Sequence, residues 1–138
     1  MRISLVGLAA SCVVAAGCGT TCLTDACVGP GAEFAVPSLD DGDTVRVLLD
    51  GQPRQCVVQK RQCRSDDGSF QVDGSLGGGK VYLFFNQIRP DCAHAELRRA
   101  GSIIYAAAYR FTYQTTYRNG KDCPCKEEIA NTMVDACE

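Results

Sequence analysis

The sequence predicts a mainly β fold, a disulfide-braced antiparallel β-sandwich of about seven or eight strands. Three observations predict it. Asx-Gly pairs recur at Asp41-Gly42, Asp50-Gly51, Asp67-Gly68, Asp73-Gly74 and Asn119-Gly120, and such residues tolerate the positive φ that tight hairpin turns require. The runs between them read as strands, several with a period of two. Ten cysteines fall in 138 residues, a density that suits bridges formed in an oxidising compartment. The remaining composition fits one globular domain: 46% hydrophobic, 22% charged and a net charge of −2, too apolar and too neutral for a disordered chain. The 14 Lys+Arg are matched by 16 Asp+Glu with no basic block, which argues against nucleic acid as a partner.

Residues 1–17, MRISLVGLAASCVVAAG, place one positive charge before an apolar run and small residues, the layout of a cleaved secretory signal peptide. The apolar run from Ile3 to Ala16 falls short of the ~20 residues that span a bilayer. Ala15-Ala16-Gly17-Cys18 resembles the lipobox of bacterial lipoproteins, although Ala15 stands where Leu is commonest. Ala9-Ala10-Ser11-Cys12 is a rival site behind a shorter apolar run. The resemblance implies cleavage before Cys18, acylation of its thiol and attachment to a membrane through that lipid. Gly19, rather than Asp, after the lipidated residue points to the outer membrane in a cell that has two.

Cysteine parity agrees with that reading. Cleavage before Cys18 discards Cys12 and lipidation uses Cys18. Eight remain as disulfide candidates: Cys22, Cys27, Cys56, Cys63, Cys92, Cys123, Cys125 and Cys137. Eight cysteines allow 105 pairings, so connectivity stays open, although neighbours Cys123 and Cys125 are expected to take different partners. No C-x-x-C motif is present and His94 is the only histidine, which disfavours a zinc site or thioredoxin-like redox chemistry.

Residues 18–31 are rich in Gly, Thr and Cys and read as a lipidated tether; 32–138 form the domain. Thr44 to Leu49, the Asp50-Gly51 turn and Arg54 to Gln59 predict a hairpin. Ser69 to Val72 alternates, and Val81 to Phe85 is the continuous apolar run of a buried strand. Tyr105, Ala107, Tyr109, Phe111, Tyr113, Thr115 and Tyr117 occupy alternate positions and predict a long, half-buried strand over 103–118. Two segments carry a competing helical signal. In 91–100, Asp91 is placed as an N-cap and Gly101 as a terminator. In 126–137, Ile129, Ala130, Met133, Val134 and Cys137 sit at helical spacing, while a last strand would bury Ala130, Thr132 and Val134.

The strand TVRVLLDGQPRQCVV, the Asp-Asp-Gly-Ser-Phe turn and the late YRFTYQTTYRNGKDCPC hairpin together resemble the carboxypeptidase regulatory-like, or transthyretin-like, β-sandwich modules of bacterial envelope proteins. The resemblance covers about residues 42–134; NQIRPDCAHAELRRA departs from it. It implies seven or eight strands and a binding or structural role, with no catalytic residues to carry over.

A search for chemistry yields little. His94 lies between two alanines with no evident nucleophile. Asp40, Asp41 and Asp43 lack the spacing of a calcium loop. Gly74, Gly79 and Lys80 fit part of a phosphate-loop pattern, but Val81 and a strand follow where Ser/Thr and a helix belong. No metal and no cofactor are expected. The tyrosine stripe, Tyr105, Tyr109, Tyr113 and Tyr117, either packs in the core or forms a partner-facing platform. The expected role is non-catalytic binding or structure at the membrane surface, toward an envelope protein or a glycan. The alternatives are an inhibitor or regulator of an envelope hydrolase, acting through a rigid loop at 119–125, and a small enzyme, which would need a pocket around His94.

Overall fold

The structure, a computed structural model, describes residues 27–117 and 120–138. Among them are nine strands and no helix: β1 (Gly31–Glu33), β2 (Thr44–Leu49), β3 (Gln52–Val57), β4 (Gln62–Arg64), β5 (Phe70–Asp73), β6 (Tyr82–Phe85), β7 (Cys92–Arg99), β8 (Ser102–Thr116) and β9 (Cys125–Val134). They form two antiparallel sheets, β1-β6-β5-β4 and β3-β2-β7-β8-β9. The chain is therefore a disulfide-braced β-sandwich.

Local chemistry explains the hairpins. Asp50 and Gly51 both have positive φ (51° and 74°), the backbone a two-residue turn of type I′ demands, and β2 and β3 pair directly across them from Leu49↔Gln52 onward. Ala100 and Gly101 repeat the device between β7 and β8, with φ of 49° and 81°. In β2 every second residue (Val45, Val47, Leu49) is buried, the alternation of a sheet with one covered face.

The core is built on size complementarity. The central strands β7 and β8 present small side chains inward: Ala93, Ala95 and Ala107. Across from them the other layer supplies Phe34, Phe70 and Phe85, each at most 1% exposed. Small against large lets the facing layers interdigitate at interior density. Packing extends upstream of Ala32, since Pro30 is also fully buried. Gly29 is forced by this approach: a Cβ there would lie 2.1 Å from the Phe85 carbonyl oxygen. Gly29→Ala is expected to cost about 1–3 kcal/mol through displaced backbone, read as a lower urea midpoint.

The two helical expectations are corrected. Residues 91–100 contain β7, hydrogen-bonded between β2 and β8, with Ala93, Ala95 and Leu97 buried at a period of two. The alanines' helix propensity is overridden by strand pairing on both sides. Residues 126–137 lie largely in β9, an edge strand paired only with β8. Ile129 and Met133, which would have formed the apolar face of a helix, are 53% and 59% exposed. Ala130 and Thr132 are exposed too, and Val134 is half-buried, so this last strand does not bury the residues expected of it.

The loop before β2 is fixed by one buried acid. Asp43, its side chain 2% exposed, accepts two bonds from Arg99, Nε at 2.8 Å and Nη2 at 2.7 Å, and one from the Asp40 amide at 2.9 Å. The Arg99 guanidinium, joined by the Asp40 amide, outweighs burial and holds this carboxyl below its ordinary 3.8. A depressed folded-state value contributes stability above the unfolded value and loses it as pH falls through the folded one. Arg99 is 37% exposed, so the pair is screened on one side. Asp43→Asn is expected to lower stability by about 2 kcal/mol at neutral pH. The difference from wild type should shrink as pH drops below 3.8, measured by urea unfolding across an acid series.

Candidate functional site: the bridges, the His94 cleft and the β8–β9 arm

The described cysteines are all oxidised. Cys27 bonds Cys125, Cys56 bonds Cys63 and Cys92 bonds Cys137; Cys123 is disulfide-bonded as well. Cys123 and Cys125 take different partners, since Cys125 is joined to Cys27. Cys56–Cys63 links β3 to β4 and so ties the two sheets at one side. There the chain turns at Lys60 and Arg61, with φ of 52° and 61°, inside the Gln59↔Gln62 bridge. Cys92–Cys137 carries the C-terminal tail back onto the start of β7. The signal segment 1–17, Cys18, Cys22 and Asn119 lie outside the described residues.

The tyrosine stripe divides. Tyr105 packs edge-on against Phe34 with ring centroids 5.2 Å apart. Tyr109 is buried and donates to the Glu33 carbonyl at 3.0 Å. Tyr113 donates to the Pro90 carbonyl at 2.6 Å. Burial pushes the Tyr109 and Tyr113 hydroxyls well above the usual phenol range. These three face the core or its rim, and Tyr117, 59% exposed, alone points to solvent. A single period-two stripe thus changes environment where β8 outruns the sandwich.

β7 begins at Cys92, opposite Arg110 of β8, and β8 continues to Thr116. The end of β8 and its partners in β9 form an arm of two strands. A bulge at Thr112/Tyr113 interrupts its register. Phe85 and the following residues to Asp91 buttress its inner side: Phe85 meets Phe111 edge-on at 5.6 Å, and the Phe111 amide donates to the Asp91 carbonyl. Arg89 ties the tip together, donating from Nε to the Lys126 carbonyl (2.7 Å) and from Nη2 to the Val28 carbonyl (3.3 Å).

A cleft of about 770 Å³ lies on the outer side of the five-stranded sheet. Leu48, His94 and Arg110 form its floor, and Asp135, Ala136 and Glu138 of the bridged tail form a wall. His94 is half-buried, its Nδ1 4.0 Å from Glu96 Oε1, and Arg98 holds the other Glu96 oxygen at 2.9–3.0 Å. This gives an imidazole with a carboxylate neighbour that is itself fixed. The cleft lining contains no Ser, Thr, Tyr or Lys, and both its cysteines are bridged. It offers charge and hydrogen bonding for a ligand, without a side-chain hydroxyl or thiol to attack one. Sequence reasoning named His94 but missed Arg110 and the tail, because no local signal announces that Cys137 returns to Cys92.

Other candidate residues are engaged within the fold. Asp40 pairs with Arg99, and Asp41 accepts from the Lys60 amide. Asp67 gathers Ser65 Oγ, Ser69 N and Ser69 Oγ, and Arg54 of β3. The Ser69 bonds first, then Ser65 and Arg54, hold its carboxyl far below the usual range. Gly77, Gly78 and Gly79 all have positive φ and connect β5 to β6 as an open loop, and Lys80 lies 3.6 Å from Glu33. Among the described residues no group of three His, Cys, Asp or Glu side chains is placed to hold a metal ion, and no helix is long and apolar enough to cross a membrane. Compared with known proteins, the chain matches no family model, no curated protein and no solved structure.

Proposed function

We propose that this chain is an exported envelope lipoprotein, anchored through Cys18, that presents a disulfide-braced sandwich as a non-catalytic binding module. The observation that carries the reading is the oxidation of all seven described cysteines, which belongs to an exported chain. Six of them pair among themselves and Cys123 is bonded too. A leader cut before Cys18 leaves Cys18 and Cys22: one partner for Cys123 and one odd thiol. Acylation of Cys18 accounts for the odd thiol, and two or more acyl chains give stable anchoring where one is marginal. The carboxypeptidase regulatory-like resemblance favours the same class of role. The His94 cleft, with Arg110 and the tail carboxylates around it, is the surface best suited to a polar ligand from the envelope.

Hydrolase inhibition is the second reading, favoured by the arm: its tip is closed by Cys27–Cys125, and rigid loops suit inhibition. The same bridge draws the tip toward the anchor, which gives the binding-module reading priority. Cys18→Ser is expected to move the protein from the membrane to the soluble fraction. Intact-mass measurement of the wild-type protein should find acyl groups on Cys18 and no free thiols. Unaltered fractionation of the variant, or a wild-type chain with its leader still attached, sinks the reading.

A further inference from the structure

We infer that the tip of the β8–β9 arm is a foot that rests on the phospholipid surface, with Tyr117 in the interfacial layer. The inference depends on the anchor at Cys18 and adds an orientation and a contact surface to it. Cys18 and Cys27 are nine residues apart, a reach of about 30 Å at full extension. Cys27 is bonded to Cys125, which sits opposite Thr116 at the very end of β8. A lipid at Cys18 therefore confines the arm's tip to within about 30 Å of the bilayer. The other end of β8, at Ser102, is a 15-residue strand away, about 50 Å, and points to the aqueous side.

The chemistry at the tip suits that placement. Tyr117 and Val28 are 59% and 57% exposed, and Lys121 and Lys126 are exposed beside them with one exposed acid, Asp122. Tyrosine, with an apolar ring and a polar hydroxyl, favours the depth of the headgroups. Lysines near the surface are drawn to anionic lipids. Arg89 joins the Val28 and Lys126 backbones, which holds these two residues of the foot together. Contact area at the foot adds to the acyl chains without inserting a strand.

The chain has no tryptophan, so a single replacement makes a clean reporter. Tyr117→Trp is compared with Ile103→Trp, an exposed site near the far end of β8. Each lipidated full-length protein is reconstituted in phosphatidylcholine/phosphatidylglycerol vesicles, with acyl chains either plain or brominated. The expected result is a blue shift and loss of emission on brominated lipid for Tyr117→Trp, and neither for Ile103→Trp. An unquenched Tyr117→Trp reporter on a protein whose Cys18 is acylated by mass overturns the foot and leaves the anchor standing. Equal quenching at both sites also overturns it. A Cys18 without acyl groups removes the anchor and the foot together.

Discussion

Replacing Cys27 and Cys125 together by serine should lower the stability of the domain by about 5 kcal/mol, the largest loss among the three bridges whose two cysteines both lie in the described residues. The bond spans 98 residues of sequence, and closing a loop of that length removes the most conformational freedom from the unfolded chain. The same chain-entropy reasoning gives about 4 kcal/mol for Cys92–Cys137, separated by 45 residues, and about 2 kcal/mol for Cys56–Cys63, separated by 7. The ranking is therefore a sharper expectation than any one value. A native side adds to it for Cys27–Cys125. Cys125 is 1% exposed, so a serine there would leave its hydroxyl in a buried place. Small domains have about 5–15 kcal/mol in all, so the double variant should unfold at much lower urea and become susceptible to protease at the arm. Equal midpoints for the Cys27/Cys125 and Cys56/Cys63 double variants would refute the loop-length account.

Phe34→Ala should cost about 3–5 kcal/mol, the range for a large aromatic removed from a core. Phe34 is fully buried just after β1. Its amide donates to the Val81 carbonyl at 2.8 Å, and its ring meets Tyr105 edge-on. It thus joins the four-stranded sheet to the longest strand of the other sheet. Its neighbours cannot close the gap cheaply, because the inward residues of β7 are Ala93, Ala95 and Leu97, held between two hydrogen-bonded strands. Phe34→Leu keeps most of the volume and should cost about 1.5 kcal/mol or less. Urea unfolding of the two variants separates the readings: similar losses for Leu and Ala would mean the ring's shape matters and its volume does not.

Much of the fold was legible because its cues are local. The β2–β3 hairpin followed from Asp50-Gly51, which holds the positive φ that an ordinary residue resists. The long strand β8 followed from alternating aromatic residues, and from Tyr105 to Tyr113 the alternating set faces the core or its rim, while Thr115 and Tyr117 do not. The turn at Lys60-Arg61 carried no cue at all, since neither residue favours positive φ; the short Cys56–Cys63 closure and the Gln59↔Gln62 bridge impose it. β7 was ambiguous because alanine at 93 and 95 serves a helix as well as a strand. The candidate site was less legible still. His94 stood out only as a lone imidazole, and the residues that shape its cleft come from β2, β8 and the C-terminal tail.

Alternation and turn chemistry act between neighbours in the chain, so the sequence by itself determined a mainly β fold, its main hairpins and the supply of cysteines. Which sulfur met which, which of four tyrosines remained in water and where an arm outran its neighbour depend on contacts across as many as 98 residues. Only the tertiary structure decided those, because they arise when two sheets close on one another and leave room for particular side chains and no others.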